Sequence, residues 1–275
     1  MEHAHEKHKI TIFHATAPTC WWSWGYEGTL NRIRAVYGDQ IDVRLLYGTV
    51  WEDFDEYLKG YELTVDAVNE WAKESADLMG VPIRANYGPN EPRNLVPATY
   101  ATLAARKQGE KKGERFARAL LRRFVVEGRN VTQEDVLLDA AQEAGLDLAS
   151  FRRDLADTAA RQADRENQGD GFPHLPLGFY ALTLTDGGDR TVLLDHAFDP
   201  KVVEEAIDYL SRGTLRKSDP TDVVSYLREH GLAPTMELAR VFDVPAEEMG
   251  TRLAALARQG KAERVDLAGG PHWKV

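Results

Sequence analysis

The sequence predicts an α/β protein in which a strand, helix, strand unit is separated from a closing hairpin and helix by a long helical insertion. A smaller unit of three helices and a hairpin follows at the C-terminal end. Three observations predict this. First, an alternating apolar run over residues 9–15, a helical pattern over 29–36 and a second apolar run over 41–48, ending at Gly48, make a strand, helix, strand unit of parallel type. Second, residues 63–168 have helical texture, and strand texture returns only at 177–184 and 191–194. Third, a polar linker at 214–219 separates this body from three amphipathic segments and a short hairpin.

The elements follow in order. Ile41, Val43, Leu45 and Leu46 read as a buried strand that stops at glycine. In residues 64–79, Val65, Val68, Trp71, Ala72, Ala76 and Met79 recur near helical spacing, and Gly80, Val81 and Pro82 end the helix. Residues 86–97 form a loop rich in Gly, Pro and Asn; 97–108 and 111–126 then read as two helices hinged at Gly109. Thr132 is the expected N-cap of a helix over 134–144, Gly145 its stop, and 148–165 continues the helical pattern. The basic residues Arg106, Lys107, Lys111, Lys112, Arg115, Arg118, Arg122 and Arg123 read as solvated helix faces in preference to an anion site. The turn Asp186-Gly187-Gly188-Asp189 joins the late hairpin, and 200–210 supplies the closing helix. Beyond the linker, 221–230, 235–241 and 246–259 are helices, and 262–267 with 272–275 is a hairpin.

Composition narrows the function classes. The chain has 275 residues, 43% hydrophobic and 28% charged, and a net charge of −10. Such a charge disfavours general affinity for nucleic acid or anionic membrane, both of which need cationic surface. The one cysteine excludes an internal disulfide framework and a cysteine-based zinc site. With neither a signal-peptide pattern at the N-terminus nor a segment apolar for long enough to span a bilayer, a cytoplasmic protein is expected. The last unit has the order of a winged helix. Its second and third helices set Glu237, Asp243, Glu247 and Glu248 against Arg240, Arg252 and Arg258, a poor surface for phosphates, so an interaction or dimerisation role is expected.

The chemistry centres on Ala17-Pro18-Thr19-Cys20-Trp21-Trp22-Ser23-Trp24. A thiol between a strand and a helix sits at the helix N-terminus, where unpaired N–H groups and the helix dipole favour a thiolate. Cys20 is therefore an expected nucleophile, with a depressed pKa. Ser23 stands where a second cysteine would close a disulfide, so it offers only a hydrogen bond to the Cys20 sulfur. Three tryptophans beside a reactive thiol suit the lip of a groove, although at least one is expected to be core. The segment Gly171-Phe172-Pro173-His174-Leu175-Pro176 lies directly before the late hairpin. The expected architecture, a thioredoxin fold with an inserted helical bundle plus a C-terminal winged-helix domain, requires a proline at that place, usually cis, facing the thiol. Phe172-Pro173 is the choice over Leu175-Pro176.

Cys20-Trp21-Trp22-Ser23-Trp24-Gly25, Ala104-Ala105-Arg106-Lys107-Gln108-Gly109-Glu110, Ala144-Gly145-Leu146-Asp147 and Gly171-Phe172-Pro173 together resemble the DsbA-like oxidoreductases of the FrnE type, in their cytoplasmic branch. The resemblance covers about residues 9–212 and leaves the winged helix outside. It implies thiol chemistry at Cys20 and substrate contact at Pro173; the departure is Ser23, where dithiol members have their resolving cysteine. Related proteins include adaptors that present substrates to a cytoplasmic protease, and kappa-class glutathione transferase relatives that isomerise hydroxychromene carboxylates.

The leading expectation is monothiol exchange. The Cys20 thiolate attacks a protein or low-molecular-weight disulfide, and an external thiol resolves the mixed disulfide. Cys20, Ser23 and Pro173 are the candidate catalytic residues; Trp21, Trp22, Phe172 and His174 the candidate substrate contacts; no metal or resident cofactor is expected, with glutathione a candidate co-substrate. The alternatives are a non-catalytic adaptor that binds a protein client and a glutathione-dependent isomerase. The expected partners are a disulfide substrate, a client held through the winged helix and a second copy of the chain in a homodimer, with no specific nucleic acid and no membrane. The expected domains are 1–62 with 169–214, the insertion 63–168, and 218–275.

Overall fold

The computed structural model describes residues 9–88, 91–157, 178–267 and 270–275. Strand β1 (Ile10–Thr16) lies inside a four-stranded sheet of order β2-β1-β3-β4, with β2 at Ile41–Tyr47, β3 at Ala181–Thr185 and β4 at Thr191–Asp195. β1 pairs parallel with β2, Ile12 opposite Val43, and antiparallel with β3, Ile12 opposite Leu184. Flanked by neighbours on both edges, β1 buries Ile10, Ile12, His14 and Ala15. β4 closes one edge, and its side chains alternate between exposed and half-buried.

Helix α1 (Trp21–Tyr37) begins well before the patterned stretch at 29–36. It is buried on nearly every face, so its first two turns show no apolar stripe to read. Between β2 and β3 the chain runs through α2 (Phe54–Gly60), α3 (Val65–Met79), α4 (Val96–Arg106), α5 (Glu110–Val125), α6 (Glu134–Glu143) and α7 (Leu148–Ala156). α2 was absent from the sequence reading. Asp53 caps it, accepting the N–H groups of Asp55 at 2.9 Å and Glu56 at 3.0 Å, a contribution of about 1 kcal/mol. Thr64 caps α3 through the N–H of Ala67 at 3.1 Å, and Gly80 ends it in the left-handed conformation, φ 62°. The expected cap Thr132 does not cap: its hydroxyl and N–H both donate to Asn130, and α6 starts after Gln133 without a side-chain cap. Helix α8 (Pro200–Ser211) closes the body against α1 and the sheet.

The C-terminal module contains α9 (Val223–His230), α10 (Thr235–Phe242) and α11 (Ala246–Arg258), with strands β5 (Ala233–Pro234), β6 (Glu263–Leu267) and β7 (Gly270–Lys274). Its antiparallel sheet has the order β5-β7-β6, so β5 is a strand additional to the expected hairpin. Tyr226, Leu227, Leu238, Met249, Leu253 and Trp273 form its own apolar core.

The module is docked on α1 through α10. A Cβ added to Gly28 would stand 3.1 Å from the Glu237 Cα, so the two backbones approach where only glycine leaves room. Arg240 donates to the carbonyls of Gly25 at 3.1 Å and Met79 at 2.6 Å, and Asn31 donates to the Tyr226 hydroxyl at 2.9 Å. Arg118 corrects the solvated-face reading of α5. It is largely buried, paired with Glu27, donates from Nη2 to both carboxylate oxygens of Glu237 at 2.9 and 3.0 Å, and donates to the carbonyls of His230 and Leu232. Arg122 and Arg123, also read as solvated, bind Glu143, and Arg123 is buried. No helix among the described residues is long and apolar enough to cross a membrane.

Candidate functional site

Cys20 is the N-cap residue of α1, in extended backbone, and its own side chain makes no capping bond. The turn before it is closed by the Cys20 N–H on the Ala17 carbonyl at 3.1 Å, which carries the chain from β1 into α1. The Trp22 and Ser23 N–H groups and the Ser23 hydroxyl all face the Cys20 sulfur. This is the donor arrangement expected for stabilising a thiolate.

The expected depressed pKa is nonetheless overturned. Cys20 is only 5% exposed, and burial pushes its thiol up; the N–H groups of Ser23 and Trp22 and the Ser23 hydroxyl pull it down, and burial wins. The helix terminus supplies an attraction worth about 0.3–2 kcal/mol, and desolvation of an anion exceeds it.

Aromatic rings supply that burial. Trp21 packs edge-on to Trp71 at 5.2 Å and to Tyr87 at 5.8 Å between ring centroids. Trp22 stacks on Phe198 at 5.9 Å and meets the His196 ring at 4.8 Å. Tyr57 lies near enough that a charge on Cys20 adds to the rise of its phenol, which burial and Tyr61 push up to about 12. Burial raises Tyr87 too, and Cys20 contributes in the same direction. Three buried polar atoms at this place find no hydrogen-bond partner among the described residues: Thr19 Oγ1, Trp21 Nε1 and the Tyr87 hydroxyl.

Of the sequence-predicted residues, the structure brings together Cys20, Trp21, Trp22 and Ser23. Phe172, Pro173 and His174 lie outside the described residues, as does the Phe172-Pro173 bond. Trp24 is core, 1% exposed, its ring stacked on His272 of the C-terminal module. Sequence reasoning missed Tyr57, Tyr87 and His196 as walls of the site, and it placed Trp71 only as a helix-core residue. Trp71 carries a usable signal, since it shares a helix face with Val68 and Ala72 yet remains half-buried.

A separate cleft of about 800 Å³ lies between α1, β2, α5 and α9. Arg34, Lys111, Glu114, Arg228, Glu229 and His230 line it, giving charges of both signs and no common field. Cys20 is not among its walls.

The ClpXP adapter protein SpxH of Halalkalibacterium halodurans is 24% identical over 96% of this chain and 88% of its own length. The ClpXP adapter protein SpxH of Bacillus subtilis is 25% identical over 99% of this chain and 91% of its own. Among solved structures, the cytosolic disulfide reductase DsbM of Pseudomonas aeruginosa superposes with a TM-score of 0.58 at 23% identity, covering 74% of this chain and 98% of that one. This last likeness shows the fold. Residues 13–168, more than half of the chain, match the thioredoxin family, and with β1, α1, β2, the helical insertion and the β3–β4 hairpin all in place the chain belongs to that family.

Proposed function

We propose that the protein is an adaptor that binds a protein client and presents it to a ClpXP-type protease, with no redox step at Cys20. The observation that carries this reading is the single cysteine itself: buried, and without a second thiol to close a disulfide. A dithiol oxidase or reductase passes electrons through an intramolecular disulfide, which one cysteine cannot form. Length supports the same reading. The named adapters match the chain through its C-terminal module, whereas the disulfide reductase is covered nearly whole by about three quarters of it. The module, read as a winged helix, has its α10 pinned to α1, so it extends the client-binding body instead of swinging free.

The test uses full-length protein with purified ClpXP and ATP. Degradation of proteins in a cell extract is followed by mass spectrometry, with and without the adaptor. Accelerated loss of a defined set of proteins, unchanged in Cys20→Ala, is expected. No change in any degradation rate, together with insulin reduction that depends on Cys20, would refute the reading and restore monothiol exchange. One observation favours that second reading: the Ser23 and Trp22 N–H groups remain poised to hold a thiolate if a bound substrate lowers its cost.

A further inference from the structure

The adaptor reading leaves open what kind of client segment the site takes. The charge of the protein is concentrated in one place. Residues 52–77 hold nine carboxylates and two lysines, so α2, α3 and their flanks carry −7 of the chain's −10. All nine acidic residues are exposed. On α3, Asp66, Glu70, Glu74 and Asp77 recur every three or four residues and form one ridge about 16 Å long. Like charges at this spacing oppose helix formation, so the ridge is not there to stabilise α3. Lys73 pairs with Glu70, whereas Asp66, Glu74 and Asp77, with Glu62 before them, have no ion-pair partner among the described residues.

A second observation makes this face a site. The same two helices come to Cys20: Tyr57 of α2 lies near enough to feel a charge on the thiol, and Trp71 of α3 packs edge-on to Trp21. In that aromatic floor Trp21 (8% exposed) and Tyr87 (3% exposed) hold an indole N–H and a hydroxyl that are buried without partners among the described residues. Buried donors left unpaired are costly, and they fit a floor that a ligand completes. Exposed Tyr61, at the end of α2, and Leu78, on α3, add apolar area to the rim.

We infer that the exposed face of α2 and α3, with the aromatic floor around Cys20, docks a basic, amphipathic segment of the protein client. Lysine and arginine side chains meet the ridge; an apolar or aromatic side chain meets Trp71 and Tyr61; and a carbonyl of the segment accepts from the Trp21 N–H. This rests on the adaptor reading for its biological sense, but not for its chemistry.

The probe is a fluorescein-labelled amphipathic peptide of lysine and leucine, about 16 residues long and so about 24 Å as a helix. A second peptide has glutamate in place of every lysine. Fluorescence anisotropy with the full-length protein should show binding of the lysine peptide alone, weakening steeply between about 0.05 and 0.5 M salt. Replacing the ridge with neutral isosteres (Asp66→Asn, Glu70→Gln, Glu74→Gln and Asp77→Asn together) should weaken binding about tenfold. These changes relieve repulsion within α3, so the variant folds. A control neutralises four exposed carboxylates elsewhere, Asp135→Asn, Glu205→Gln, Glu229→Gln and Glu247→Gln, and should change affinity by less than about twofold. Equal losses in the two variants would show that net charge alone attracts the peptide; no loss in the ridge variant, or no binding at all, equally overturns the inference. The ClpXP assay separates this from the adaptor reading. If ridge and wild-type proteins accelerate degradation alike, the docking face fails and the adaptor stands; if the peptide binds as expected and degradation never changes, the adaptor fails and the face stands.

Discussion

At the scale of single residues, two groups show how burial decides chemistry. The Cys20 thiol has helix N–H groups in place to hold a thiolate, yet the surrounding rings deny the anion water, and its pKa rises. A thiol raised in the folded state contributes stability that is whole below the unfolded value of about 8.5 and is lost as pH climbs through the folded one. Alkylation by iodoacetamide should therefore show a midpoint above about 8.5 in the native protein and the ordinary midpoint in urea; a native midpoint below that in urea would contradict the burial argument. The Arg118 guanidinium is the opposite case. Burial works against its charge, but Glu237 and Glu27 more than offset this and raise its pKa. Glu237→Ala would leave that buried charge to Glu27 alone and should cost about 3 kcal/mol in urea denaturation. Arg118 was illegible in the sequence because helical spacing says which residues share a face, not what will cover it. Its cover, Glu237, arrives 119 residues later.

At the scale of elements, α1 does two jobs at once. Its N-terminus carries Cys20, while Gly28, Asn31 and Arg32 on its flank receive the C-terminal module, Arg32 donating to the Val241 carbonyl at 3.1 Å. A valine at Gly28 would meet the Glu237 backbone at 3.1 and 3.3 Å and the Arg240 Cδ at 3.2 Å, and backbone cannot step aside as a side chain does. Gly28→Val should therefore loosen the module, seen as faster trypsin cleavage in the linker at residues 214–221 with the body left intact; cleavage at the wild-type rate would show that α10 is held by other contacts. The sequence displayed α3 clearly, since it buries Val68, Ala72 and Met79 on one face and keeps its carboxylates wet on the other, and it displayed β1, β2 and the β3–β4 hairpin as short apolar runs bounded by turns, although β1 and β3 have no exposed residue. It hid α2, whose seven residues span fewer than two turns' worth of periodic signal beyond the Asp53 cap, and it hid the start of α1, which has no wet face. The candidate site was half legible for a similar reason: Cys20 and its neighbours announce themselves by composition, whereas Tyr57, Tyr87 and His196 come from three distant segments brought in by the fold.

At the scale of the whole molecule, the body and its C-terminal module share a buried polar joint, which makes their union sensitive to acid. His272 on β7 is fully buried, stacked on Trp24 of α1, with Nδ1 beside the Gly270 carbonyl. Burial lowers its pKa to about 4; the Gly270 carbonyl opposes this, and the Arg122 and Arg118 charges on α5 add to it. His14 in the sheet is lowered to about 4 by burial as well, against its bond to the Ala181 carbonyl and with the Arg34 charge adding. A histidine held neutral in the folded state binds fewer protons than in the unfolded chain. Its contribution is whole above the unfolded value of about 6.5 and is lost progressively as pH falls toward about 4. Between pH 7 and pH 5 each of these two histidines should remove about 2 kcal/mol of stability. His272→Phe keeps the ring on Trp24 and cannot be protonated, so its urea midpoint should fall less over that interval, by about the share of one histidine. Trypsin cleavage of the linker at pH 5 separates the joint from the sheet: it should speed up in the wild type and slow in part in His272→Phe, the remainder belonging to His230 at the same joint, whose pKa burial and the Arg118 charge lower to about 3. Identical pH profiles for the two proteins would remove His272 from the acid response and place it at His14 in the sheet or at His230 beside Arg118.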